Sequence, residues 1–262
     1  MKILFTKMSG CGNDFVVIDH RDEFLKMKDL RAFAKEACHR KNGIGADGLI
    51  LIEKSDKAAF KWKFFNADGS VPEMCGNGAR CAARWAEAHN VAHKQFVFET
   101  AIGPIEAQVN QDIVKVQMFK PHDFKLNLKI NLKDRDVVLS YVNSGVPHAV
   151  LEGDHFKDRA SLIRHHEAFP QGANVNFVKH IDRHMLHIQT FERGVEDFTL
   201  ACGTGAVASA IIFSKKDRVE SPVTVRMDGG TVKVYFTENY EKVYLEGSVE
   251  MVFKGEWQWK ES

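Results

Sequence analysis

The chain repeats itself at a fixed distance. Cys75-Gly76-Asn77-Gly78-Ala79 returns as Cys202-Gly203-Thr204-Gly205-Ala206, 127 residues further on. The same offset superimposes Gly45-Ala46 on Gly172-Ala173, Phe64 on Phe191, and Gly103 on Gly230. One five-residue match is within reach of chance; four matches in order at one offset are the mark of an internal duplication. With 262 residues and 44% hydrophobic content, there is apolar material for two cores. Two copies of one fold are therefore expected: a first domain over 1–119 and a second over 120–248, joined near Lys120-Pro121-His122. The tail 249–262 is expected to return and complete the first domain.

Each copy reads alike. Residues 113–119 and 231–236 alternate apolar with polar, the pattern of half-buried strands, and Gly-rich turns separate such segments. One helix candidate per copy follows the cysteine motif, over 79–88 in the first and 206–213 in the second. The second is small or apolar nearly all round, so it must be covered on most sides. A helix wrapped by a sheet satisfies that demand. The expected class is α/β (α+β): two pseudo-symmetric domains, each a curled, mostly antiparallel β-sheet around a central α-helix. The alternating tail over 244–259 reads as strand.

Composition narrows the partners. The 36 basic and 35 acidic residues nearly cancel, which leaves no broad field for nucleic acid or an anionic membrane. A small molecule is the expected partner. No run approaches the roughly 20 apolar residues that cross a bilayer, and the opening residues are too short an apolar run for a signal peptide. Five cysteines at irregular spacing suggest no disulfide framework, so reduced thiols in the cytoplasm are expected. Cys75 and Cys81 lack a second ligand pair at structural zinc spacing, and His165-His166 and His184/His187 lie in charged sequence. No metal site is expected.

The repeated motif places a thiol just before each helix. The first N–H groups of a helix have no intrahelical acceptor, and the macrodipole adds partial positive charge. A carboxylate can be held there, with glycines allowing close approach. A thiol at the same place is expected to titrate below its ordinary value. The dipole contributes up to about 2 kcal/mol, too little alone to make a strong base. If a pseudo-twofold brought both helix starts to one cleft, an α-carboxylate could be pinned by both, with one sulfur on each face of the α-carbon. A thiolate would then remove the α-proton while a thiol delivers another from the opposite side. A lone buried cysteine is usually just a small hydrophobe, and Cys11, Cys38 and Cys81 read that way. The matched pair Cys75 and Cys202 reads as an acid–base couple. A redox pair would instead suggest Cys-x-x-Cys, which is absent.

With these residues in place, the sequence closely resembles the diaminopimelate epimerase family over essentially its whole length. The resemblance is carried by Asn13-Asp14-Phe15, the Gly43–Gly48 segment, Asn66-Ala67-Asp68-Gly69 and Met74-Cys75-Gly76-Asn77-Gly78-Ala79-Arg80. It continues in Gly145-Val146-Pro147-His148, Asn174-Val175-Asn176-Phe177, and Glu192-Arg193-Gly194 leading to Ala201-Cys202-Gly203-Thr204-Gly205. What it implies is conversion of LL-2,6-diaminopimelate to the meso form, on the route to lysine and peptidoglycan, without pyridoxal phosphate or any other cofactor. A homodimer is compatible with it. By motif, Cys75 and Cys202 are implied as the catalytic pair, and Gly76, Asn77, Gly203 and Thr204 as holders of the reacting carboxylate. Asn13, Asn66, Asn174 and Arg193 are implied at the substrate's distal end, and His148 and Glu192 beside the thiols, Glu192 also contacting substrate. Two positions depart from many members: Val146 stands where an Asn precedes Pro-His, and Gly48 where some carry Gln. The alternative is a racemase of another amino acid, of the histidine or proline type.

Overall fold

The alternating segments become strands, and each run of small residues after a cysteine motif becomes a helix. The computed structural model describes residues 1–25, 29–72, 74–101 and 103–260. The chain divides into two units, Met1–Val116 with the tail from Gly247, and Gln117–Glu246. The last two residues of the tail, 261 and 262, lie outside the described residues.

The first unit runs β1 (Lys2–Gly10), β2 (Asn13–Asp19), α1 (Leu30–Cys38), β3 (Gly48–Glu53), β4 (Lys61–Asn66), α2 (Gly76–Ala88), β5 (Gln95–Thr100) and β6 (Gly103–Asn110), and β7 (Ile113–Met118) leads out of it. The second runs β8 (His122–Asn131), β9 (Asp136–Asn143), β10 (Pro147–Glu152), α3 (Ala160–Arg164), β11 (Asn174–Asp182) and β12 (Met185–Glu192). It continues through β13 (Asp197–Thr199), α4 (Gly203–Lys215), β14 (Val223–Met227) and β15 (Gly230–Phe236). β16 (Val243–Ser248) leads back, and β17 (Glu250–Gln258) pairs antiparallel with β1.

Within each unit the strands pair in the same succession. β2 lies parallel to β3, β3 antiparallel to β4, β4 parallel to β5, and β5 antiparallel to β6. Correspondingly β10 is parallel to β11, β11 antiparallel to β12, β12 parallel to β14, and β14 antiparallel to β15. The repeated glycines Gly103 and Gly230 open the equivalent strands β6 and β15 at φ +120° and +144°, a region that side chains with a Cβ avoid.

The central helices are enclosed by these sheets. α4 buries every residue from Gly205 to Phe213 and packs on β9, β10, β11, β12, β14 and β15. α2 packs on β1, β2, β3 and β6, with Arg84 on its more open side. Both helices begin three residues before the sequence reading places them, because the motif glycines form the first turn. A second, shorter helix per unit escapes the sequence reading. α1 and α3 cover the other face of each sheet, α1 over Val16, Ile18, Leu49 and Leu51, α3 over Ala149, Leu151, Val175 and Phe177. With both faces covered, β3 is buried at all of its positions. Among the described residues, no helix is long and apolar enough to cross a membrane.

Candidate active site

Cys75 is the N-cap of α2. Its backbone is extended (φ −138°, ψ 108°), and its Sγ accepts the N–H of Gly78 at 3.4 Å. Cys202 caps α4 in the same way (φ −132°, ψ 106°), its Sγ accepting the N–H of Gly205 at 3.3 Å. Helix caps are usually Ser, Thr, Asp or Asn, whose oxygens take this amide; here a sulfur does. An amide N–H aimed at sulfur stabilises negative charge on it. The first intrahelical bonds are Ala79 N–H to Cys75 O (2.8 Å) and Ala206 N–H to Cys202 O (2.9 Å). The N–H groups of Gly76 and Asn77, and of Gly203 and Thr204, therefore have no acceptor within their own helices. Cys75 is partly exposed, while Cys202 is buried with the Thr204 hydroxyl 3.4 Å from its sulfur.

A polar network stands behind Cys75. Asn77 donates to Asn13 Oδ1 (2.5 Å), and Asn13 donates to Asp47 Oδ2 (3.1 Å). Arg80, fully buried one turn into α2, donates to Asn77 Oδ1 (2.9 Å), Gly76 O (3.2 Å) and Cys11 Sγ (3.3 Å). Asp14 completes the support. Burial pushes its carboxyl up, but hydrogen bonds from Arg40 and Lys7 outweigh that and hold it at about 2. Asn66 ends β4 with its amide donating to Ser70 Oγ (2.9 Å) and lies across from Gly48 in register. The site thus brings Asn13 and Asn77 together directly, and reaches Asn66 only through strand register.

Gly48 has little room for a side chain. A Cβ there would lie 2.6 Å from the Phe64 ring and 2.8 Å from the Phe65 carbonyl. Gly48→Ala is expected to lower stability by about 2 kcal/mol, as overpacking does, measured by urea unfolding. An unchanged midpoint would show that Phe64 yields freely.

In the second unit the chain gathers His148, Asn174, Glu192 and Arg193. Parallel pairing sets His148 beside Asn174. Asn174 accepts the Arg193 backbone N–H (2.8 Å) and donates to Pro147 O (3.2 Å), while the Arg193 guanidinium reaches Gln171 O (3.0 Å). Glu192 is the last residue of β12, next to Arg193. His148 is fully buried, and burial pushes its imidazole down to about 3. Three residues missed by the sequence reading support this set. Asn176 and Thr190 lie beneath the start of α4, and Ser144 donates to Thr204 O (2.9 Å). The second Asn of Asn174-Val175-Asn176 and the strand period were the available signals.

The other cysteines lie apart in character. Burial pushes Cys38 up to about 12 and raises Cys81, which is wholly enclosed. Among the described residues, no group of three His, Cys, Asp or Glu could hold a metal ion.

The diaminopimelate epimerase family model matches residues 5–122 and 140–252. Diaminopimelate epimerase of Aquifex aeolicus is 43% identical over 96% of this chain and 96% of its own length. That of Archaeoglobus fulgidus is 37% identical, covering 97% of this chain and 96% of its own. Among solved structures, a PhzF-family phenazine biosynthesis protein of Bacillus anthracis superposes with a TM-score of 0.74 at 15% identity, over 98% and 99% of the two chains. A hydroxyproline epimerase of Agrobacterium vitis gives 0.69 at 14%, over 97% and 92%. At such identities these two share the fold and nothing further follows about substrate. From the matched sequence over almost its full length, the chain belongs to the diaminopimelate epimerase family.

Proposed function

We propose that the chain epimerises LL-2,6-diaminopimelate to the meso form, with Cys75 and Cys202 as the acid–base pair. The observation that supports it is the matched pair of sulfur-capped helix starts, alike in backbone angles and in the amide that each sulfur accepts. The reacting carboxylate is held by the N–H groups of Gly76, Asn77, Gly203 and Thr204. One sulfur, as thiolate, removes the α-proton; the electron pair of the broken C–H bond passes toward the carboxylate. The other sulfur, as thiol, gives its proton to the opposite face. The first sulfur ends as thiol and the second as thiolate, so their roles are exchanged for the reverse reaction. The pair titrates as a unit, and no cofactor is required.

Asn13, Asn66 and Asn174 receive the distal amino-acid end, and Arg193 pairs its carboxylate through a planar fork suited to that shape. His148 and Glu192 complete the surroundings of the thiols. Cytoplasm is the compartment that goes with catalysis by reduced thiols.

The test is incubation with LL-diaminopimelate in heavy water. Deuterium is expected at one α-carbon together with meso product. Exchange into other amino acids, with neither signal from diaminopimelate, would remove the substrate assignment.

A further inference from the structure

The partners of Asn176 determine which nitrogen of His148 carries the proton. Asn176 Nδ2 lies 3.1 Å from the carbonyl oxygen of Ala149, which can only accept. Its Oδ1 takes the Thr190 hydroxyl at 2.9 Å. These two contacts fix the amide orientation. The same NH2 group lies 2.9 Å from His148 Nδ1. A proton on Nδ1 would face the amide hydrogen, so Nδ1 must present its lone pair and Nε2 must carry the proton. His148, Asn176 and Thr190 are all buried at 2% exposure or less, so water cannot rearrange this set. His148 Nε2 is also buried and has no hydrogen-bond partner among the described residues. Fully buried N–H groups normally have one, and such an orphan calls for an explanation.

We propose that His148 serves the site as a fixed, uncharged Nε2–H donor to an anionic acceptor, held in that tautomer by the positioning residues Asn176 and Thr190, and exchanges no proton during turnover. The acceptor is a carboxylate of the substrate or a thiolate. The proposal rests on the two-thiol chemistry above, in which such charges arise, and it removes His148 as a base for either cysteine. A second proton would have to enter at Nδ1, against the amide. Arg193, the charged group whose field acts on the ring, opposes a further positive charge. Burial acts in the same direction.

NMR of the whole chain with nitrogen-labelled histidine tests this without turnover, the signals of His148 being assigned from their loss in His148→Gln. A protonated Nε2 and a bare Nδ1 are expected, both unchanged from about pH 5 to about pH 9. A proton on Nδ1, or a titration within that range, overturns the proposal. Asn176→Asp presents an acceptor to Nδ1 and is expected to move the proton onto it; an unmoved proton denies Asn176 its positioning role.

Kinetics supply the second readout. Glutamine places an N–H near the position of Nε2 and leaves a carbonyl for the Asn176 amide. His148→Gln is expected to keep kcat/KM within about tenfold, and His148→Phe to lose about a hundredfold, as for one removed donor. A rise in KM alone assigns the acceptor to the substrate carboxylate, and a fall in kcat alone to a thiolate. Equal losses in both folded variants would refute the donor role. Failure of the two-thiol scheme would appear elsewhere, in cysteine variants that still invert, and would leave the tautomer measurement intact.

Discussion

Cys75→Ala and Cys202→Ala are each expected to lower the rate of inversion by about ten-thousand-fold, the upper end of what a positioned acid or base contributes. The two losses should be alike, because in the proposed scheme each sulfur serves one face of the same carbon. A variant that keeps one thiol can still take a proton and return it to the same side. Deuterium exchange with retained configuration can therefore outlast inversion, and the two signals should be followed separately. Inversion at the parent rate in either variant would defeat the scheme. Losing a helix cap costs about 1 kcal/mol, so unfolding curves should accompany the kinetics to keep the two effects apart.

The second large effect comes from a pair of glycines that the repeat makes equivalent. At Gly205 an added Cβ would run into Asn176 Oδ1 and lie 3.0 Å from Thr190 Oγ1 and 3.2 Å from Cys202 Sγ. At Gly78 its nearest neighbours would be Phe15, Trp62 and the Cβ of Cys75, at 3.5–3.6 Å, ordinary contact distances. Gly205→Ala is expected to destabilise by about 3 kcal/mol, at the high end for overpacking, and to lower kcat/KM by at least about a hundredfold through displaced Cys202 and Asn176. Gly78→Ala should be neutral or stabilise by up to about 1 kcal/mol, since alanine is the better helix former. Urea unfolding of both variants, with rates, decides the matter. Equal effects at the two positions would mean that the second unit relaxes around the methyl group.

That contrast also shows what a sequence can and cannot carry. The helix starts were legible because capping is local: a cysteine, two glycines and the following small residues lie within one turn. Strand β15 and the fold class were legible from alternation and from the repeat. The outer helix α1 was not. Its signals are short rather than absent: the cap Asp29 is followed by Phe33, Ala34, Ala37 and Cys38 at helical spacing, but the helix has only nine residues, and no matched motif of the repeat marks them. α3 has only five residues, too few for a period to show. The Asn176–Thr190 support was hidden for a different reason. Asn176 meets Thr190 through the antiparallel register of β11 and β12, and reaches His148 diagonally, two residues beyond Asn174, the parallel partner of His148. Neither register can be read from spacing along the chain. The equivalence of Gly78 and Gly205 was legible, yet the difference between them depends on what lies beneath each helix.

The return of β17 to β1 affects the order of assembly. Trp259 packs on Phe33 of α1 and donates to Glu36 Oε2 (2.8 Å), and its carbonyl accepts the amino terminus. During synthesis β1 can pair with β2 at once, but β17, on its other side, emerges only after the whole second unit. The second unit, one continuous stretch from Gln117 to Glu246, has all its strands before then. Domains usually fold from the N-terminus onward during synthesis; here the first unit keeps an open sheet edge until the second unit has been made. Ribosome-stalled chains ending before residue 247 should thus show a protease-resistant second unit and a cleavable first one.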